Sequence, residues 1–264
     1  MTEYSAIRLQ RDGAVARITL NRPEVRNAFN EAVIADLTAA FAELAADPSL
    51  RAVVLAAEGK AFCAGADLNW MKAMATFSWD ENHADAGRLA EMLWTIYSCP
   101  VPVIARVQGD VYAGGVGLVA VCDVVVALDS ANFCLSEAKL GLLPATIGPY
   151  VVRALGAQAS RRYFVTAERF SAATAHRLGL VHELATPETL DVVVDGLLAG
   201  VLVNGPAAVR ACKKLVQDMA HAPITPALRD DTARRIADIR ASAEGRDGVQ
   251  SFLNKSKPAW LLSE

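Results

Sequence analysis

Apolar and polar positions alternate over residues 6–10, and a second, mostly apolar run covers residues 14–20, on either side of Asp12-Gly13. An Asp-Gly pair between two such runs predicts a β-hairpin, because the tight turn needs positive φ. Over residues 27–46 the spacing becomes helical, with Phe29, Val33, Leu37 and Phe41 four apart. Residues 52–56 form a short apolar run and predict a buried strand, as do residues 103–107 and 124–128. A second helix is predicted over residues 82–98, ending before Cys99-Pro100. Short strands alternating with helices point to repeated β-β-α or βαβ turns with parallel pairing. After about Ala157 the pattern is mainly helical, over residues 159–167, 172–178, 187–202, 206–219 and 224–241, with almost no strand expected. The expectation is therefore an α/β core over residues 1–195 and a helical C-terminal region over residues 196–264.

The 264 residues suffice for one large domain or a domain with an appendage, and a hydrophobic content of 53% fits a well-buried core. The formal net charge is −3 and both signs are spread along the chain, so neither nucleic acid nor a membrane surface is an expected partner. The longest uncharged stretches, residues 140–152 and 196–209, fall short of the roughly 18 residues of a spanning helix. Residues 1–8 are polar and predict no secretory signal. Cys63, Cys99, Cys122, Cys134 and Cys212 are scattered and contain no CxxC pair, so they predict no metal site. They read as reduced, mostly buried thiols of a cytoplasmic protein. His83, His176, His182 and His221 have no shared helical spacing and read as surface or structural groups.

Two glycine-containing segments follow buried strands. One runs Lys60-Ala61-Phe62-Cys63-Ala64-Gly65-Ala66-Asp67-Leu68; the other runs Gly109-Asp110-Val111-Tyr112-Ala113-Gly114-Gly115-Val116-Gly117. Small residues there let a ligand approach the main chain, and a helix N-terminus offers unpaired N–H groups. Two such sites facing each other would hold an oxyanion. Tight packing is the common alternative reason for such turns. The run from Gly115 to Ala120 spells GxGxxA, but the strand ending at Asp129 follows too soon for a dinucleotide fold. Neither a GxxxxGK[ST] phosphate loop nor a GxSxG nucleophile elbow is present.

Together with Cys122-Asp123 and Phe133-Cys134-Leu135-Ser136-Glu137, the two loops resemble the crotonase superfamily of enoyl-CoA hydratases and isomerases. The resemblance extends to Leu20-Asn21-Arg22-Pro23 with Asn27-Ala28, to residues 139–148, 166–170 and 175–181, and to residues 248–257, so it covers nearly the whole chain in order. It implies a spiral of β-β-α turns with a helical oligomerisation region, a homotrimer or a dimer of trimers. It implies a coenzyme A thioester as substrate and no separate cofactor. The backbone N–H groups of Ala66 and Gly114 are expected to form an oxyanion hole, and Val25, Ala64, Gly65, Asp67, Leu68 and Asn69 to line the path of the thioester. Lys255 is expected to approach the nucleotide, in its own or a neighbouring subunit; otherwise it is a solvated charge. Within the family, residues 62–71 and 133–144 look like bacterial methylglutaconyl-CoA hydratases.

Hydratases of this family typically use two glutamates. Glu137 matches the second, and its neighbours Phe133, Leu135, Leu140 and Leu142 are apolar, which should raise its pKa and suit it to proton transfer. The first glutamate falls on Gly117. Asp123 reads as a support at a strand start, and Asp110 reaches the site only if its loop folds inward. Gly117 either leaves space for a carboxylate of the substrate or lets a helix pack closely. Three readings follow: a hydratase with Glu137 as acid and base, a Δ3,Δ2-enoyl-CoA isomerase with Glu137 as single base, and an acyl-CoA binder with little catalysis.

Overall fold

The computed structural model describes residues 4–220 and 222–262, so His221 lies outside the described residues. Strands β1 (Ile7–Asp12) and β2 (Val15–Leu20) form the expected antiparallel hairpin, with Gly13 at φ 54° in its turn. Helix α1 (Glu31–Ala45) starts later than the spacing of Phe29 predicts. The Asn30 side chain accepts a hydrogen bond from the Val33 N–H and caps the helix, and Phe29 pairs instead with Ala66 in a parallel β-bridge.

Strand β3 (Ala52–Ala57) leads to β4 (Ala61–Cys63), α2 (Leu68–Met74) and α3 (Trp79–Tyr97). Helix α3 begins at Trp79 rather than Asn82 because Ser78 and Glu81 form a capping box. Next come β5 (Val103–Val107), β6 (Asp110–Tyr112), α4 (Gly114–Ala120), β7 (Val124–Leu128) and β8 (Asn132–Cys134). A turn of 3₁₀ helix over Glu137–Leu140 precedes α5 (Gly148–Thr166), which is kinked where Gly156 takes φ 77°. Strand β9 (Arg169–Ser171), α6 (Ala172–Arg177) and β10 (Glu183–Ala185) follow, then α7 (Leu190–Leu202), α8 (Pro206–Met219), α9 (Pro226–Ala241) and α10 (Ala243–Leu253).

The strands build two sheets. The larger has the order β1-β2-β3-β5-β7-β10 and is parallel from β2 onward; the smaller has the order β4-β6-β8-β9, with only β9 antiparallel. The three turns from β3 to α5 each lay one strand in the larger sheet and the next in the smaller, then add helix, which is the expected spiral of β-β-α turns. After Ala157 the described residues form only two strands, β9 and β10, in keeping with the expectation of almost no strand. Both are three-residue strands, too short to show a period of two.

Both faces of the larger sheet are covered, which is why β3 is buried at every position. Val53, Leu55 and Ala105 join the main core with Leu37, Phe41, Leu93 and Ile96 of α1 and α3, while Val54, Ile104 and Val126 on the other face meet Leu190, Val194 and Leu198 of α7. Helix α7 runs across positions 195 and 196, so the sheet core includes the first helix of the C-terminal region. Among the described residues, no single helix is long and apolar enough to cross a membrane.

Candidate active site

The smaller sheet brings the candidate residues together. Strands β4, β6 and β8 are adjacent and parallel, so their C-terminal ends lie side by side at a spacing of about 4.8 Å per strand. Ala66 follows β4, Gly114 follows β6, and Glu137 follows β8. None of these three strands was legible as a strand, again because each has three residues.

Main-chain pairing directs the Ala66 N–H. The Phe29 N–H donates to the Gly65 carbonyl at 2.7 Å, and the Asp67 N–H donates to the Phe29 carbonyl at 2.8 Å. In a parallel bridge, a residue flanked in this way turns its own N–H and C=O away from the partner. Among the described residues, neither the Ala66 nor the Gly114 N–H has a hydrogen-bond acceptor. Gly114 opens α4 after Ala113, whose φ 48° and ψ −121° are strained for a residue with a side chain. The Ala113 N–H is fixed on the Cys134 carbonyl at 2.8 Å, which ties the second loop to β8.

The two loops touch through glycines. Gly65 has φ 90°, and a methyl there would lie 2.9 Å from Cβ of Ala113; one on Gly115 would lie 2.8 Å from Cβ of Cys63. Both positions require glycine so that the two free amides can approach each other.

Glu137 starts the 3₁₀ turn, half-buried, and its Oε2 is buried with no hydrogen-bond partner among the described residues. Burial raises its pKa above the ordinary carboxylate value, against a smaller opposing contribution from its own backbone N–H. Phe133 and Leu135 are buried beside it as expected. Leu140 and Leu142 are not: they are 60% and 54% exposed, because Gly141 at φ 72° ends the turn and sends the chain outward.

The expectation of open space at Gly117 is corrected. A Cβ there would stand 2.1 Å from Cγ2 of Ile147, and Ile147 is 2% exposed. Ile147 at the N-cap of α5 fills the volume that a side chain at position 117 would take. The close-packing reading of Gly117 is the one the structure bears out.

The other singled-out residues are dispersed around this centre. Val25 ends a 3₁₀ turn over Pro23–Val25, Ala64 is half-buried, and Leu68 and Asn69 are exposed at the start of α2. Asp67 is 6% exposed, and its carboxylate accepts from the Asn69 N–H at 2.8 Å and from Arg22 Nη2 at 2.9 Å. Lys255 follows α10, an element packed on α8 and α9. Asp110 is held by the Asn132 N–H and Arg169, at 2.9 and 3.0 Å. Asp123 ties the start of β5 to α8, accepting from the Val103 N–H at 2.7 Å and from Lys213 Nζ at 2.6 Å. Among the described residues no group of side chains could hold a metal ion, and all five cysteines are free, four of them buried.

Sequence reasoning missed a basic cavity of about 340 Å³ lined by Arg26, Lys60, Ala61, Ala64, Asp110, Tyr112 and Arg169. It also missed Ile147, for which no local signal exists. Three cations face one carboxylate in this cavity, which opens one residue before Gly65 and so adjoins the loop of free amides.

Residues 10–262 match the family model described as enoyl-CoA hydratase/isomerase. The chain is 36% identical over 251 residues to enoyl-CoA hydratase ACTT6 of Alternaria alternata, covering 92% of this chain and 80% of that protein. An enoyl-CoA hydratase structure from Shewanella pealeana superposes with a TM-score of 0.95 at 37% identity, over 98% of this chain and 97% of that one. The structure of Pseudomonas aeruginosa AtuE gives a TM-score of 0.93 at 36% identity, over 97% and 99%.

Proposed function

Because the chain belongs to the enoyl-CoA hydratase/isomerase family, we propose that it adds water across the 2,3 double bond of an enoyl-CoA thioester. The observation that carries this reading is the convergence, on adjacent parallel strand ends, of two unpaired amides and one unpaired, buried carboxyl oxygen. The thioester carbonyl oxygen would sit between the Ala66 and Gly114 N–H groups, where fixed dipoles stabilise the negative charge of the enolate. Such donors contribute about 3 to 4 kcal/mol each. Glu137 takes a proton from water as the oxygen adds to C3, and the same carboxyl delivers a proton to C2. Its raised pKa brings proton uptake and release closer to neutrality, which suits both halves of this cycle.

The basic cavity beside Ala64 suits the phosphate-bearing end of coenzyme A, and Val25, Leu68 and Asn69 border the same loop. Lys255 is assigned to that end from a neighbouring copy. The likeness of residues 62–71 and 133–144 to methylglutaconyl-CoA hydratases supports a branched acyl group of that type. Its distal carboxylate is not lodged at Gly117, where Ile147 stands. We place the protein in the cytoplasm, in keeping with its free thiols, as a trimer or dimer of trimers.

A second reading, isomerisation of a 3-enoyl thioester, is favoured by one observation: a single carboxyl serves the site, and one base suffices to move a proton within an allyl system. The test is a panel of enoyl-CoA thioesters, crotonyl-CoA and 3-methylglutaconyl-CoA included, followed at the conjugated enoyl absorbance. Hydration bleaches this band, isomerisation of a 3-enoyl substrate creates it, and no change across the panel would refute both.

A further inference from the structure

Arg22 is not among the residues assigned to the path of the thioester, yet its contacts close a ring around Ala66. Its Nη1 donates to the Ala28 carbonyl at 2.8 Å and its Nη2 to Asp67 Oδ2 at 2.9 Å. Asp67 Oδ1 accepts from the Asn69 N–H at 2.8 Å and caps α2. The next residue after Ala28, Phe29, holds both neighbours of Ala66 through its own N–H and C=O. The ring therefore runs from the guanidinium through Ala28 and Phe29 to the peptides flanking Ala66, and back through the Asp67 side chain. Burial alone would raise the Asp67 carboxyl, but the Asn69 amide and the Arg22 guanidinium outweigh it and hold it below its ordinary value. The carboxylate is thus ionised and fixed. The arginine is anchored in turn, since its N–H donates at 2.9 Å to Oδ1 of Asn27, a side chain 1% exposed whose Nδ2 donates to the Glu58 and Ala61 carbonyls.

We infer that Arg22 is a positioning residue that sets the direction of the Ala66 N–H through Asp67, an inference that rests on the oxyanion reading above. Planarity and reach argue for arginine. Two parallel donors span a carbonyl of one segment and a carboxylate of another, and the point charge of lysine cannot do both. An amide turned off its axis still leaves the fold intact, but it loses the alignment on which stabilisation of developing charge depends.

The test compares Arg22→Lys and Asp67→Asn with a control, Arg106→Lys. Arg106 also makes a bidentate pair, with Asp191 at 2.6 and 2.9 Å, on the larger sheet and α7. Turnover and KM are measured on the enoyl-CoA that the panel identifies. The thioester carbonyl stretch of bound [1-¹³C]butyryl-CoA, which has no double bond to react, is read by infrared difference spectroscopy. The expected result is a turnover about 10- to 100-fold lower in Arg22→Lys and Asp67→Asn, with KM within about three-fold. The carbonyl shift to lower frequency seen in the native protein should be reduced in both and unchanged in Arg106→Lys. If one variant fails to fold, the other still decides. A native-size carbonyl shift in a folded Arg22→Lys or Asp67→Asn protein overturns the inference. Absence of any shift in the native protein overturns instead the oxyanion reading on which it rests.

Discussion

Glu137 illustrates how much one buried oxygen decides. A carboxyl with an unpaired, buried Oε2 costs stability whenever it is ionised, which supports the proposed use of Glu137 in proton transfer. Glu137→Gln should lower turnover by at least about 100-fold while acyl-CoA binding survives, checked by steady-state kinetics and by calorimetry of binding. The same variant has a predicted stability signature. Well below the ordinary carboxylate pKa of about 4.3, Glu137 is protonated in folded and unfolded chains alike, and the two proteins should melt together. As the pH rises through that value toward the raised folded one, the unfolded chain releases its proton first, and the native protein loses stability that the amide keeps. The melting temperature of Glu137→Gln minus that of the native protein should therefore grow from near zero well below the ordinary value to a positive plateau once the pH exceeds the raised folded one. A constant difference across that range would contradict a raised pKa. Glu137 was legible in the sequence because its motif is contiguous. Arg22 stood in a quoted motif too, but its partner Asp67 is far along the chain, and only the fold reveals the pair.

At the level of elements, the sequence showed long patterns and hid short ones. Strands β3, β5 and β7 read clearly because each is a five- or six-residue run of aliphatic residues, broken only by Arg106 in β5. Strands β4, β6 and β8, which carry the site, have three residues each and no periodicity to read. The packing of α4 on the start of α5 was equally hidden, since nothing beside Gly117 announces Ile147. That contact makes a quantitative prediction. Gly117→Ala should destabilise the fold by about 1–3 kcal/mol through overpacking, and Ile147→Gly should destabilise it by leaving a cavity. The double variant should cost less than the sum of the two, with a coupling of about 1–3 kcal/mol. Denaturant melts of the four proteins measure this cycle, and simple additivity would mean that α4 has room to shift.

Across the whole molecule, the unfinished surface is C-terminal. Helices α8 and α9 bury no residue within the chain, and Phe252 and Leu253 of α10 are 81% and 67% exposed. So much uncovered apolar surface fits an assembly better than a monomer. Light scattering should report the mass of three or six chains, and Phe252→Glu should release smaller species; a native monomer at working concentration would refute the assembly. The α/β character and the helical tail were both legible from periodicity, whereas the second sheet was not, since it exists only once successive turns stack. That stacking has a consequence for how such a protein changes over time. On the proposed function, polarising the carbonyl and moving the proton would fall to different turns of the spiral, each anchored by its neighbours in the smaller sheet. The helical excursion between two turns, α2 with α3, adds no strand to the smaller sheet. A related sequence can therefore differ in that excursion and keep the proposed carbonyl chemistry.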